Sequence, residues 1–107
     1  MKTITREELK AKIDRGDNFK LVMTMNKWAF EASHIPGSLN IYDPDEAFRL
    51  LSPDDEIVVY CTNPTCIASI HAYHAFVAVG FKNTRRYSGG LEDWKNAGYP
   101  LEGTAVE

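Results

Sequence analysis

The stretch Ile57-Val58-Val59-Tyr60-Cys61, followed by the polar loop Thr62-Asn63-Pro64-Thr65-Cys66 and an apolar run to Gly80, constrains this chain more than any other part. Four β-branched or aromatic residues in succession leave no polar face, which is the pattern of a strand covered on both sides. Asn63-Pro64 reads as a helix start: Asn supplies a capping oxygen, and Pro stands where its missing N–H costs nothing. The spacing predicts a helix over 64–79 that turns the small residues Ala68, Ala72, Ala75 and Val79 to the sheet. Ile67, Ile70, Tyr73, Phe76 and Val77 widen its apolar coverage, and Gly80 is its C-cap. A cysteine at the C-terminal end of a buried strand, facing the next helix N-terminus, is placed for thiolate chemistry, because the helix dipole and the loop N–H groups favour the anion. Cys61 is therefore the expected nucleophile.

The rest of the chain alternates helix and strand. A first helix is predicted over 3–13, with Thr5 and Glu8 as a capping box and Gly16 as its stop. A strand over 19–25 follows, then a short helix capped by Asn26 that runs through Trp28, Phe30 and Ala32. His34-Ile35-Pro36-Gly37 forms a turn, residues 38–41 a short strand, and 44–51 a helix with Ala47, Phe48 and Leu51 as its apolar face. The central strand covers 56–61. A last strand covers 84–87, followed by Ser88-Gly89-Gly90 and a helix over 91–96. Connections too long for hairpins argue for a parallel sheet flanked by helices, with its ligand site outside the carboxyl ends of the strands.

A length of 107 residues suits one domain, 1–107, with a single core. The formal net charge is −3 with no basic run, so nucleic acid is not an expected partner. The apolar stretches fall short of the roughly 20 residues that cross a bilayer. Residues 1–8 lack the apolar core of a signal peptide, so a cytoplasmic location is expected. In that reducing setting two cysteines are not read as a structural bridge, and Cys61-x4-Cys66 is not a common zinc spacing.

The motifs His34-Ile35-Pro36-Gly37-Ser38, Tyr60-Cys61 and Tyr87-Ser88-Gly89-Gly90-Leu91-Glu92-Asp93-Trp94, in this order, make the chain resemble a single-domain rhodanese over residues 3–101. The resemblance implies a three-layer α/β domain, with a five-stranded parallel sheet flanked by helices on both faces. It implies a sulfurtransferase whose cysteine takes a sulfane sulfur from a donor such as thiosulfate or polysulfide. The sulfur is held as a persulfide and passed to a thiol or other thiophilic acceptor, which can be a protein. The matching nucleophile is Cys61, and the substrate-binding loop is Thr62, Asn63, Pro64, Thr65, Cys66, Ile67, Ala68 and Ser69. No cofactor or metal is implied.

The departures from the family pattern are specific. The Asp-x-Arg unit that many active rhodaneses carry at the end of the second strand falls, aligned from His34, on Met23 and Met25, and the loop has no arginine. The loop is also longer than the common sulfurtransferase loop. That length is similar to dual-specificity phosphatases and arsenate reductases, but those need a loop arginine to clamp an oxyanion, so both activities are disfavoured. The missing cations support a second reading, a non-enzymatic rhodanese-like module that binds a partner or senses redox state through Cys61 and Cys66.

Other residues take plainer readings. Cys66 is either a first-turn packing residue or a resolving thiol. In the second role, attack on a Cys61 persulfide releases sulfide and leaves a disulfide, provided the Cα atoms lie within about 7 Å. His71 and His74 are read as helix histidines rather than metal ligands. His34 is read as a turn residue bonded to backbone, and Trp28, Phe30, Tyr87 and Trp94 as core or rim packing. Arg85 and Arg86 are read as solvated surface, with an anion-attracting role for one of them as the sharper alternative. Ser88-Gly89-Gly90 is expected to bring backbone close to the Cys61 loop.

Overall fold

The computed structural model describes residues 1–106, the side chain of Pro44 excepted. The segments that the sequence punctuates most clearly form as expected. Helix α1 spans Arg6–Arg15, closed at its start by the Thr5–Glu8 capping box and at its end by Gly16 in the left-handed region (φ 70°). Strand β1 is Lys20–Met23. Asn26 Oδ1 accepts from the Ala29 N–H at 2.9 Å and starts α2, Lys27–Ala32. Strand β2 is only Leu39–Asn40. The helix predicted over 44–51 is a 3-10 turn, Pro44–Glu46, leading into α3, Ala47–Leu50. Strand β3, Ile57–Tyr60, is buried at every position. Helix α4 is Ala68–Ala78, β4 is Thr84–Tyr87 and α5 is Gly90–Asn96.

The sheet is parallel throughout, in the order β2-β1-β3-β4. The resemblance implied five strands; four form among the described residues. In the place of a fifth, Thr3 makes a single parallel bridge to Arg86, with Arg86 N–H donating to Lys2 O and Ile4 N–H to Arg86 O. Thr5 already caps α1, so the N-terminal segment has no length left for a strand.

Two cores cover the sheet. On one face Leu21, Met23, Val58, Tyr60 and Tyr87 pack with Leu9, Ile35, Leu91 and Trp94, under α1, α2 and α5. On the other Val22, Ile57 and Val59 pack with Ala47, Leu51, Tyr73, Phe76 and Phe81, under α3 and α4. This arrangement explains the unbroken apolar run of β3, since each alternate residue feeds a different core.

Three expectations are corrected. Helix α4 starts at Ala68, not Pro64, because Asn63 serves a turn instead of a helix. Its Oδ1 accepts from both the N–H and the hydroxyl of Thr65, and its carbonyl accepts from Cys66 N–H at 3.1 Å. The inward face of α4 is Ser69, Tyr73 and Phe76, not the small-residue stripe, and Val79 is half exposed. Apolar residues nearly all round this helix made its stripe ambiguous, and the bulkiest side chains went inward. Trp28, expected in core or rim, is 79% exposed.

Candidate functional site

Cys61 follows the last residue of β3 and is buried, while Cys66, five residues on, is half-buried. The two form a disulfide with a Cα separation of 6.4 Å. The bridge judged unfavourable from composition is thus present, and the distance condition for a resolving thiol is met. The Asn63-centred turn makes it possible: the chain doubles back over three residues and returns Cys66 to the strand end. The amides of Thr65 and Cys66 are engaged inside that turn and Pro64 has none, so these three loop residues offer no free N–H to an anion.

The loop is held from the other side by α5. Leu91 N–H donates to Cys61 O at 3.0 Å and Glu92 N–H to Thr62 O at 2.8 Å. Gly90 has φ +67°, and a Cβ there would lie 2.6 Å from Cys61 O. Only glycine satisfies both the backbone angle and that approach, which is the role expected of Ser88-Gly89-Gly90. The helix then closes over Trp94, whose Nε1 donates to Pro100 O at 2.9 Å.

At the place of the family's Asp-x-Arg, Met23 is fully buried in the core and Met25 puts Sδ 3.9 Å from Cys66 Sγ. A thioether therefore occupies the position of a cation, and the disulfide lies against apolar matter. Thr62 Oγ1 stands 3.8 Å from Cys61 Sγ. Beside the start of α4 a groove of about 290 Å³ is lined by Thr24, Tyr42, Ala68, His71, Ala72 and Ala75.

Below the loop, Tyr60 hydroxyl accepts from Ile35 N–H at 3.0 Å and lies 2.9 Å from Ser38 Oγ. Burial pushes its pKa up to about 12, against the opposing pull of those bonds. Tyr87 is raised further, first by burial and then by donating to the Asp93 carboxylate, which Arg6 Nη1 also meets at 3.0 Å.

The remaining residues singled out from sequence fall as follows. His34 Nδ1 donates to Phe30 O at 2.8 Å and its ring stacks on Phe30. His71 and His74 are exposed on α4. Of the two arginines read as surface, Arg85 meets Glu8 and Glu56, each at 3.6 Å. Arg86 is buried at 6% exposure, and its Nε donates to Ser69 Oγ at 2.8 Å. Its burial was readable in the pattern Thr-Arg-Arg-Tyr: in a strand covered on both faces, one of two adjacent arginines must point into a core.

Residues 5–97 match the family model described as Rhodanese-like domain. The chain is 33% identical over 101 residues to the HTH-type transcriptional regulator Rv0324 of Mycobacterium tuberculosis, a match covering 92% of this chain and 44% of that protein. The chain thus spans less than half the length of that curated relative. Among solved structures, the BH2092 protein of Bacillus halodurans superposes with a TM-score of 0.88 at 27% identity, covering 97% of this chain and 78% of that one. The Rhodanese-like domain of the Anabaena protein Alr3790 superposes with a TM-score of 0.85 at 23% identity, over 98% and 81% of the two chains.

Proposed function

The chain belongs to the rhodanese-like family, and from that premise we propose that it carries sulfane sulfur on Cys61 and discharges it with the help of Cys66. The observation that carries this reading is the Cys61–Cys66 disulfide at the C-terminal edge of the central strand. In the reduced chain, the Cys61 thiolate attacks the outer sulfur of a donor. The donor S–S bond breaks, its electron pair leaves on the shortened donor, and Cys61 holds the sulfur as –S–S⁻. An outside thiol can take that sulfur away. Alternatively the Cys66 thiol passes its proton to the outer sulfur and attacks Cys61 Sγ as the thiolate, hydrosulfide leaves with the bonding pair, and the Cys61–Cys66 disulfide remains, to be reopened by an external dithiol.

Polysulfide or a protein persulfide suits this site better than thiosulfate. Thiosulfate leaves as the doubly charged sulfite, and the loop offers no arginine to hold it. The missing loop cation likewise speaks against a phosphatase or arsenate reductase.

The test is intact mass after incubating the reduced protein with thiosulfate or polysulfide. Cys66→Ser is expected to gain one sulfur and keep it. The parent chain is expected to release sulfide and end two hydrogens lighter, and Cys61→Ser to gain nothing. No gain with either donor in Cys66→Ser overturns the carrier reading.

A second reading is favoured by one finding, the match to part of a transcriptional regulator. In it the same dithiol serves as a sulfur- or redox-responsive module within a longer protein, and no acceptor turns over. Disulfide formation without catalytic transfer to a small thiol separates this outcome from the first.

A further inference from the structure

Among the described residues, one buried side-chain nitrogen or oxygen lacks a hydrogen-bond partner: Nη2 of Arg86. The residue is 6% exposed, and no carboxylate pairs with it among the described residues. Its one side-chain bond runs from Nε to Ser69 Oγ, on the first turn of α4. Nη2 has lost its water and gained no counter-charge, an expensive arrangement unless an anion meets it in another state of the protein.

The sheet register bears on which anion that could be. Arg86 pairs with Val59 on β3, and both project to the α4 face. β3 ends at Tyr60; extending its pleat by one residue would bring Cys61 to that same face, diagonal to Arg86. A strand spacing of about 4.8 Å and a rise of about 3.3 Å per residue place such neighbours about 8 Å apart at the backbone, within the reach of an extended arginine. The N-terminal turn of α4, which Arg86 touches through Ser69, is also where the Cys61 loop delivers its chain.

We propose that Arg86 is the positioning charge of this site: from beneath the loop, it steadies Cys61 whenever Cys61 is a thiolate or persulfide anion. The chain then has its cation after all, supplied by β4 instead of the loop. The disulfide explains why the guanidinium is underused in this structure, since pairing with Cys66 removes the anion from Cys61. In the reverse step a reductant thiolate attacks the half-buried Cys66 sulfur and forms a mixed disulfide there. Cys61 is expelled as the thiolate that Arg86 receives. The proposal rests on the reading of Cys61 as the sulfur-carrying nucleophile.

Other charged groups around the loop are otherwise engaged or peripheral. Asp93 on α5 is held by Arg6 and Tyr87, Glu92 beside Thr62 is exposed, Tyr60 on β3 is bonded to Ile35 and Ser38, and His71 on α4 is exposed. Burial lowers the pKa of Arg86 itself, in keeping with a desolvated cation awaiting an anion.

The test is the pH profile of Cys61 alkylation by iodoacetamide in Cys66→Ser, with and without changes at Arg86. Arg86→Gln is expected to raise the midpoint by about one pH unit, and Arg86→Lys to restore part of that shift. Ser69→Ala, which frees the guanidinium, is expected to raise it by less. In the two-cysteine chain, Arg86→Gln is expected to shift the equilibrium with dithiothreitol about tenfold toward the disulfide, about 30 mV for a two-electron couple. Midpoints unmoved in Arg86→Gln overturn the proposal. If that variant does not fold, unmoved midpoints in both Arg86→Lys and Ser69→Ala overturn it equally. Alkylation reports the thiolate whether or not sulfur ever loads, so a failed persulfide assay and a failed Arg86 test remain distinguishable.

Discussion

The two faces of the sheet treat their buried polar groups differently. On the α1, α2 and α5 face, polar side-chain atoms are closed into bonds: Tyr60 with Ile35 and Ser38, Tyr87 with Asp93 and through it Arg6, Trp94 with Pro100. On the α4 face Arg86 keeps an unpartnered nitrogen. The outer surface of α3 and α4 also leaves Phe48, Leu50, Val77 and Val79 exposed. A closed network fixes one geometry, because each missing partner would cost the desolvation of the other. An open one retains a group that can respond to a change of charge. The first face holds the motif turns in place, and the second carries the arginine to which we assign a part in the proposed sulfur chemistry.

The sharpest way to break this comparison is to damage the closed face and watch the open one. Trp94 is 1% exposed, bonded to Pro100 O and packed edge-on against Tyr87 and Tyr99. Trp94→Ala is expected to cost about 3–5 kcal/mol in urea unfolding. A cost under 1 kcal/mol would mean that this face is not the rigid one.

Alkaline pH probes the same face without mutation. The folded pKa of Tyr60 is raised to about 12, so the folded state favours the neutral phenol. Its stabilisation is complete below the unfolded value near 10, and is lost as pH climbs through the folded value. Two units correspond to about 3 kcal/mol, lost between about pH 10 and 12. Tyr87, shifted in the same direction, extends the decline upward. Tyr60→Phe is expected to flatten the slope in that window, while leaving Ile35 N–H unpaired at a cost of about 1–3 kcal/mol at neutral pH. An unchanged slope would place the titrating groups elsewhere.

Gly90 joins the closed face to the site. Gly90→Ala meets both a left-handed backbone angle and a Cβ position 2.6 Å from Cys61 O. A stability loss of about 1–3 kcal/mol is expected, together with faster reduction of the disulfide as the loop is displaced. A loss with no change in reduction rate would show that α5 does not govern the loop.

Much of the closed face could be read from residues alone. The Thr5–Glu8 box, Asn26, Gly16, the all-apolar β3 and the Gly-Gly approach to Cys61 each rest on local chemistry that few alternatives satisfy. The open face was harder, because its decisive facts are long-range. Asn63-Pro64 has the chemistry of a helix cap, yet Asn63 spends its bonds on a turn that returns Cys66 to Cys61, so α4 begins at Ala68. The inward stripe of α4 depends on which bulky residue finds space beneath it, which period alone does not decide. Arg86 looks like a surface residue until both faces of β4 are known to be covered.

The smallest expected effect belongs to the open surface. Val79 is 51% exposed at the C-cap of α4, so Val79→Lys removes little apolar burial and places a cation at the negative end of the helix. The burial lost and the dipole gain are each a few tenths of a kcal/mol and opposed, so stability should stay within about 0.5 kcal/mol of the parent. Alkylation of Cys61 in Cys66→Ser should be untouched, because the new charge sits at the far end of α4 from Ser69 and solvent screens it. A cost above 1 kcal/mol would mean that Val79 is packed against something in solution and that this face is not open. A shifted alkylation midpoint would mean that α4 relays charge along its length, and the difference between the two faces would then lie in how they transmit electrostatics, not in how they satisfy hydrogen bonds.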